Sequence, residues 1–184
     1  MTADTVPARE SAPISAGDPI DLDHLPDRDL GKHELRALAT DIASRPQLWR
    51  HHVAFSDGER HYVSLHRDGH VDLWLLCWTA ANDTGWHDHD ISSGAVAVAE
   101  GALVEHNLAV GRPALETVVP AGMVFCFGPN HIHRLTGHQP ASVSIHAYSP
   151  PLWRMGQYSV GGGGVLSRVS LSYADELRPL DDVG

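Results

Sequence analysis

The feature that most constrains the fold is a series of short apolar segments between Arg60 and Tyr158. Glycine, proline, asparagine and aspartate separate them at roughly the spacing of a strand plus a turn. The segments are RHYVSLH, VDLWLLCW, GAVAVAEG, ALVEHNLAV, ETVV, MVFCFG, HIHRL and SVSIHAYS. No helical segment intervenes, so a parallel α/β sheet is not expected. The pattern predicts an all-β domain of short antiparallel strands, arranged as a jelly roll or a related barrel.

Helical structure is predicted only before this region. Leu30, Leu35, Leu38 and Ile42 recur at helical spacing, and Pro46 favours an end to the helix. We therefore expect one or two N-terminal amphipathic helices packed outside the barrel.

The chain has 184 residues, which suits one domain, and we place that domain at residues 21–172. Residues 1–20 mix proline, alanine, serine and acids without periodicity, which predicts a disordered tail. Four glycines, Gly161 to Gly164, predict a flexible connector, and the following VLSRVSLSY predicts a last edge strand. Residues 173–184 are interpreted as an acidic C-terminal tail.

Composition argues against several classes of function. The net charge is −10 and the 13 lysines and arginines are scattered, so nucleic acid is not an expected partner. No apolar run is long enough to span a membrane, and no signal peptide opens the chain. Cys77 and Cys126 lie in apolar runs and are expected to be reduced thiols. These features predict a cytoplasmic protein, either a monomer or a small homo-oligomer.

Two histidine pairs predict a metal site. His87 and His89 in GWHDH, and His131 and His133 in HIHRL, are each two residues apart, so each pair can share one face of a strand. Imidazole suits iron, zinc, nickel and copper, and clustered histidines are the main sequence sign of such sites. One or both members of the second pair could join the first pair at the metal.

These motifs resemble the cupin superfamily and, more closely, its thiol dioxygenases related to cysteine dioxygenase. Gly94 stands where the first cupin motif has a glutamate ligand, and loss of that ligand is the three-histidine pattern of these enzymes. The family's histidine–arginine step favours His133 over His131 as the third ligand. The resemblance implies a cupin-type barrel that holds Fe(II) through His87, His89 and His133.

The segment SIHAYSPP carries the most specific part of the resemblance. It matches the family's Ser-x-His-x-Tyr relay, here Ser144, His146 and Tyr148, followed by Ser-Pro-Pro. Strand alternation places the three side chains on one face. The resemblance implies that Tyr148 contacts oxygen or substrate, with His146 and Ser144 holding it in place.

The substrate-binding end departs from the family. Tyr62 aligns with a family tyrosine that precedes, by two residues, the arginine or glutamine that binds the substrate carboxylate, and that position here is Ser64. Arg60 or Arg67 could replace it, and Trp78 is interpreted as a wall of the pocket. Mammalian relatives also carry a cysteine, crosslinked to the relay tyrosine, at the position of Gly94.

The resemblance implies an enzyme that adds both atoms of dioxygen to the sulfur of a small thiol and produces a sulfinate. Two alternatives stay open. One is another metal-dependent cupin enzyme, an isomerase or a carbon-cleaving dioxygenase, although these usually keep the glutamate ligand. The other is a non-catalytic cupin that binds a metal or small ligand.

Overall fold

The computed structural model describes residues 13–14, 19–109, 111–161 and 166–172. Within these ranges one α-helix, α1 (Lys32–Ala43), and short 3₁₀ turns at Leu22–His24, Pro46–Leu48 and Arg50–His52 precede the strands. The strands are, in chain order, β1 (Tyr62–Arg67), β2 (Asp72–Trp78), β3 (Trp86–Asp88), β4 (Ser93–Glu100), β5 (Ala102–Asn107), β6 (Leu115–Pro120), β7 (Val124–Phe127), β8 (His133–Gly137), β9 (Ser142–Ser149), β10 (Arg154–Val160) and β11 (Leu166–Ser172).

The strands form two antiparallel sheets that enclose the barrel. One sheet has the order β1-β2-β9-β4-β7, and the other has the order β11-β10-β3-β8-β5-β6. Strands far apart in sequence lie side by side, as where β2 and β4 flank β9. The prediction of an all-β jelly-roll barrel with N-terminal helical structure outside it is confirmed.

Strand β2 is apolar throughout after its first residue, Asp72, because both of its faces are covered. Its residues alternate between two covered faces. Leu73 and Leu75 pack outward, in a layer with Leu35 and Leu38 of α1. Trp74, Leu76 and Trp78 pack into the barrel interior instead. Every residue of β2 is therefore buried.

The predicted helical region contains one α-helix, and Leu30 lies before it rather than in it. The amide of Gly31 donates to Glu34 Oε2 (3.0 Å) at the start of α1. Ile14 and Ile20, both within the predicted tail, pack against the helical layer, and the Ile14 amide donates to Glu34 Oε1 (3.1 Å). The rest of that tail (1–12 and 15–18), most of the glycine connector and the acidic tail lie outside the described residues.

The sequence pattern did not predict β3 and β10 as strands of their own. Strand β3 is only three residues long and β10 follows the Ser-Pro-Pro step. The predicted last strand is β11, at the edge of its sheet. Within the described ranges, no helix combines the length and the apolar character needed to cross a membrane.

Candidate metal centre

Three of the four motif histidines meet inside the barrel. His87 of β3 is the register partner of His133 of β8, and His89 follows β3 directly. Their ring centroids are 4.7 Å (His87–His133), 4.9 Å (His87–His89) and 5.2 Å (His89–His133) apart. One nitrogen from each ring lies within 4.8 Å of the other two, and all three residues are buried.

Several nitrogen atoms of this cluster lack hydrogen-bond partners, which favours a bound ligand. Both ring nitrogens of His89 and the Nε2 of His133 are buried without a hydrogen-bond partner among the described residues. An unsatisfied buried polar atom costs about 1–3 kcal/mol. His87 uses its Nδ1 on the Gly85 carbonyl (3.1 Å), and donation by that nitrogen makes Nε2 the acceptor. The three rings therefore fit a metal ion that accepts one nitrogen from each.

Electrostatics keeps the three rings in the form that binds metals. Burial lowers the pKa of His87 and His89 well below the usual value, with mutual repulsion adding to the effect. Burial also lowers the pKa of His133, although its hydrogen bond to Glu105 acts in the opposite direction. Neutral imidazole is the metal-binding form, so no proton has to be removed near neutral pH.

Glu105 of β5 holds the third histidine. Its Oε1 accepts hydrogen bonds from His133 Nδ1 and from His131 Nε2, each at 3.1 Å. Burial opposes ionisation of this carboxyl, but the two imidazoles outweigh it and lower the pKa to about 2. With Nδ1 donating to a carboxylate, the His133 tautomer is set and Nε2 faces His87 and His89. His131 contacts Glu105 and lies outside the three-ring cluster.

Glu105 was missed at the sequence level, although a signal existed. Leu103 of the same strand packs into the barrel, and strand alternation turns Glu105 the same way. A carboxylate at an inward position of an apolar strand requires a buried partner. Without knowing that β5 pairs with β8, the sequence could not identify His133 as that partner.

Ser144, His146 and Tyr148 form a continuous chain of hydrogen bonds on β9. Ser144 Oγ lies 2.9 Å from His146 Nε2, and His146 Nδ1 lies 3.0 Å from the Tyr148 hydroxyl. All three residues are buried, and the Tyr148 ring stacks on His89 with 5.2 Å between centroids. The chain therefore ends beside a member of the histidine cluster.

Trp78 sets the direction of this chain. Its indole N–H donates to Ser144 Oγ (2.8 Å), and this favours donation by the serine hydroxyl to His146 Nε2. A neutral His146 then carries its proton on Nδ1 and donates it to the Tyr148 oxygen. Burial, followed by the charge of Arg60, lowers the pKa of His146 well below its usual value and keeps it neutral. Tyr148 can then act as a hydrogen-bond donor.

The remaining predicted residues lie along β1. Tyr62 and Ser64 are the register partners of Leu76 and Trp74, and both are exposed. Arg67 lies over the Trp153 ring at 4.3 Å, with its Nη1 3.5 Å from Asp72 Oδ2.

Arg60, just before β1, lies nearer the relay. Its Cζ is 4.5 Å from the centroid of Trp78, whose ring stacks on His146 with centroids 6.2 Å apart. Its charge also contributes, after burial and His133, to the lowered pKa of His87. A pocket of roughly 330 Å³, lined by residues 54–56 and 59–62, opens beside it.

Fold and site together define a jelly-roll barrel with a buried three-histidine centre. The family model for cysteine dioxygenase type I matches residues 22–160, and the chain belongs to this family. The resemblance given by the sequence motifs is thus confirmed. No curated protein matches the chain significantly.

Several solved structures are similar over part of the chain. One is a conserved protein with a double-stranded β-helix domain from Klebsiella pneumoniae (15% identity, 65% of this chain and 91% of that one, TM-score 0.48). Others are a cupin superfamily protein from Desulfitobacterium hafniense (9%, 53% and 83%, TM-score 0.46) and an RmlC-like cupin protein from Desulfovibrio desulfuricans (18%, 54% and 90%, TM-score 0.46).

Proposed function

We propose that this protein is an iron-dependent thiol dioxygenase. The net reaction converts a small thiol and dioxygen into a sulfinate and a proton, so that both oxygen atoms end on sulfur. The observation that carries the proposal is the contact between the buried three-histidine cluster and the relay on β9, through stacking of Tyr148 on His89. Membership of the cysteine dioxygenase type I family supports dioxygenase activity in general.

The donor set supports a redox metal with open positions. Three neutral imidazoles suit Fe(II), and they would leave positions for the thiol sulfur and dioxygen. His87, His89 and His133 would hold the ion, and Glu105 would fix the His133 tautomer. Bound Fe(II) would supply the centre at which sulfur is oxidised. The absence of a glutamate at Gly94 argues against cupin enzymes that use a fourth protein ligand.

The protein's own groups would orient the reactants. Tyr148, held through its oxygen by His146, would donate its phenolic hydrogen to an oxygen atom beside the cluster. Phe127 stacks on His89 with 4.6 Å between centroids, and this apolar wall would exclude water from that side. Because each relay group is already held by its neighbour, little reorganisation is needed when the substrate binds.

Arg60 is the favoured partner for a substrate carboxylate. The Arg60 guanidinium lies over the Trp78 ring, and its charge lowers the pKa of His146. Arg60 is therefore near the relay. Arg67 contacts Asp72 and Trp153 instead. Ser64 offers one hydroxyl and no charge. We propose that the substrate is a small carboxylated thiol that reaches Arg60 through the pocket bounded by Tyr62.

A cytoplasmic location belongs to the same proposal. Cys77 and Cys126 are both free thiols, which suits a reducing compartment.

The proposed function is tested with purified protein loaded anaerobically with Fe(II). Metal analysis should give one iron per chain. Oxygen consumption with cysteine, 3-mercaptopropionate, cysteamine and mercaptosuccinate should match formation of the corresponding sulfinate. Oxidation of every thiol only to disulfide, or an equal rate with His133→Ala, would overturn the proposal.

A further inference from the structure

Strand β3, which carries His87 and is followed directly by His89, is held by contacts on its opposite face. Asp88 lies between His87 and His89, and its side chain points to the opposite face of β3. Its carboxylate accepts from Arg168 Nε (2.7 Å) and Nη2 (2.9 Å), and from the Tyr158 hydroxyl (2.6 Å). The Asp88 side chain is only 9% exposed. A nearly buried carboxylate is thus fully paired, directly behind the histidine cluster.

The arginine reaches Asp88 from two strands away. Asp88 pairs with Gly156 of β10, and Tyr158 of β10 pairs with Arg168 of β11. The guanidinium crosses β10 at Gly156, where no side chain stands in its way. A Cβ added at Gly156 would lie 2.5 Å from Arg168 Cζ and 2.5 Å from Asp88 Oδ2. A side chain at this position would therefore force the guanidinium or the carboxylate to move from its present place.

Strand β3 is held unevenly by its two neighbours, because all three of its residues pair with β10. It is three residues long, and among the described residues its pairing with β8 consists of one residue pair, His87 and His133. Immediately after His89 the chain turns through Asp90, which has a positive φ of 53°. The Asp90 amide donates to Asp88 Oδ1 (2.9 Å), and the Asp90 carboxylate lies 3.5 Å from Arg168 Nη2. Arg168 therefore contacts both acidic residues that flank His89.

We propose that Arg168 is a positioning residue for the metal centre, acting through Asp88 to fix strand β3, which carries His87 and leads directly into His89. The inference rests on the proposed metal site. It also gives a role to β11, which lies beyond the residues matched by the family model. A bidentate guanidinium–carboxylate pair fixes direction as well as distance, which an ammonium group does not.

The effect on the metal follows from the geometry of ligation. Outer residues that orient metal ligands typically change metal affinity by about 10- to 100-fold when they are replaced. A shift of β3 would move His87 and His89 together against His133. Arg168→Gln and Gly156→Ala should each weaken Fe(II) binding about tenfold. Arg168→Lys should be intermediate, because lysine keeps the charge without the fork.

The test measures Fe(II) affinity by anaerobic competition with a chelator, together with hydrogen exchange of the β3 amides in the metal-free proteins. Arg154→Gln is the matched control, because Arg154 is exposed and its Nε is 3.8 Å from Asp90. Arg168→Gln and Gly156→Ala should speed exchange in β3, and the double variant should cost no more than either single variant. The control should resemble the wild type in both measurements.

Wild-type affinity and wild-type β3 exchange in Arg168→Gln would overturn the inference, as would additive losses in the double variant. If the wild-type protein binds no Fe(II), the proposed function fails, and the β3 exchange in the metal-free proteins still decides whether Arg168 positions this strand. Urea unfolding of each variant separates a local effect from global destabilisation.

Discussion

Gly94 lies directly opposite Tyr148 across β4 and β9, and a Cβ at Gly94 would be 3.1 Å from Tyr148 Cδ1. This is where crosslinked relatives would carry the cysteine that bonds to the relay tyrosine. The same Cβ would lie 2.5 Å from two ring atoms of Phe127. Phe127 thus occupies the space that a side chain at position 94 would need, and Tyr148 has no sulfur partner at that position.

The first prediction concerns this pair. Intact-protein mass spectrometry should show no loss of two hydrogen atoms after turnover. Gly94→Cys should reduce the free energy of unfolding by about 1–3 kcal/mol, because the new side chain overpacks against Phe127. Urea unfolding measures the loss. The double variant with Phe127→Leu should recover part of it, and an unchanged stability of Gly94→Cys would contradict the packing described.

Tyr148→Phe tests the relay. The phenol is outside the three-histidine cluster, so the variant should bind Fe(II) with wild-type stoichiometry. Its kcat should fall on the order of a hundredfold, the typical cost of removing one preorganised donor. Comparing oxygen consumed with sulfinate formed should also reveal uncoupled, partly reduced oxygen. Full, coupled activity in this variant would remove Tyr148 from the mechanism.

The ligand set is tested by four single alanine variants. His87→Ala, His89→Ala and His133→Ala should lose iron, because each removes one nitrogen of the buried cluster. His131→Ala should retain it, because the group formed by His87, His89 and His133 is complete without His131, although the His131 ring lies 4.8 Å from that of His133. Metal analysis after desalting gives the answer. Iron loss in the His131 variant with retention in the His133 variant would reverse the assignment.

Glu105→Gln should weaken Fe(II) binding by about 10- to 100-fold while the protein remains folded. The amide oxygen can still accept from His133 Nδ1, but the negative charge that strengthens this bond is gone. Chelator competition measures the change. Glu116→Gln is the control, since Glu116 pairs with His106 (3.3 Å) away from the cluster. Equal affinity in both variants would show that the Glu105 charge does not matter.

Arg60→Gln should raise the KM for cysteine, 3-mercaptopropionate and mercaptosuccinate while that for cysteamine, which has no carboxylate, changes little. Losing the charged partner of a buried carboxylate costs on the order of a hundredfold in affinity. Arg67→Gln serves as the comparison, because Arg67 pairs with Asp72. Steady-state oxygen uptake with each thiol distinguishes the two variants. A selective loss in Arg67→Gln alone would assign the carboxylate to Arg67.

Local patterns predicted most of the barrel, because apolar strand patterns and turn residues are both properties of short stretches of sequence. A continuous apolar run bounded by turn residues locates β2, and alternation locates β9. The histidine and relay motifs are each confined to a few consecutive residues. Strand β3 is too short to have a periodicity of its own. Strand β10 begins with the exposed Arg154 and contains Gly156, both of which weaken an apolar pattern.

Partners across strands could not be predicted in the same way. Glu105 and His133 are 28 positions apart, and Asp88 and Arg168 are 80 positions apart. Their contacts depend on which strands are neighbours and in what register, and neither property is contained in a local motif. The same holds for Arg60, which lies over the ring of Trp78 beside the relay.

The pairing of His87 with His133 has a consequence for how the protein matures. His87 and His89 are neighbours in the chain, but the third nitrogen arrives only when β8 docks beside β3. Such non-local pairings form slowly, since a long loop must close first. A newly made chain therefore presents only two of the three proposed metal ligands together until the barrel has closed. Under the proposed function, iron would bind the completed barrel and stabilise it by RT ln(1 + [Fe]/Kd), so the measured stability of the protein should rise with iron concentration.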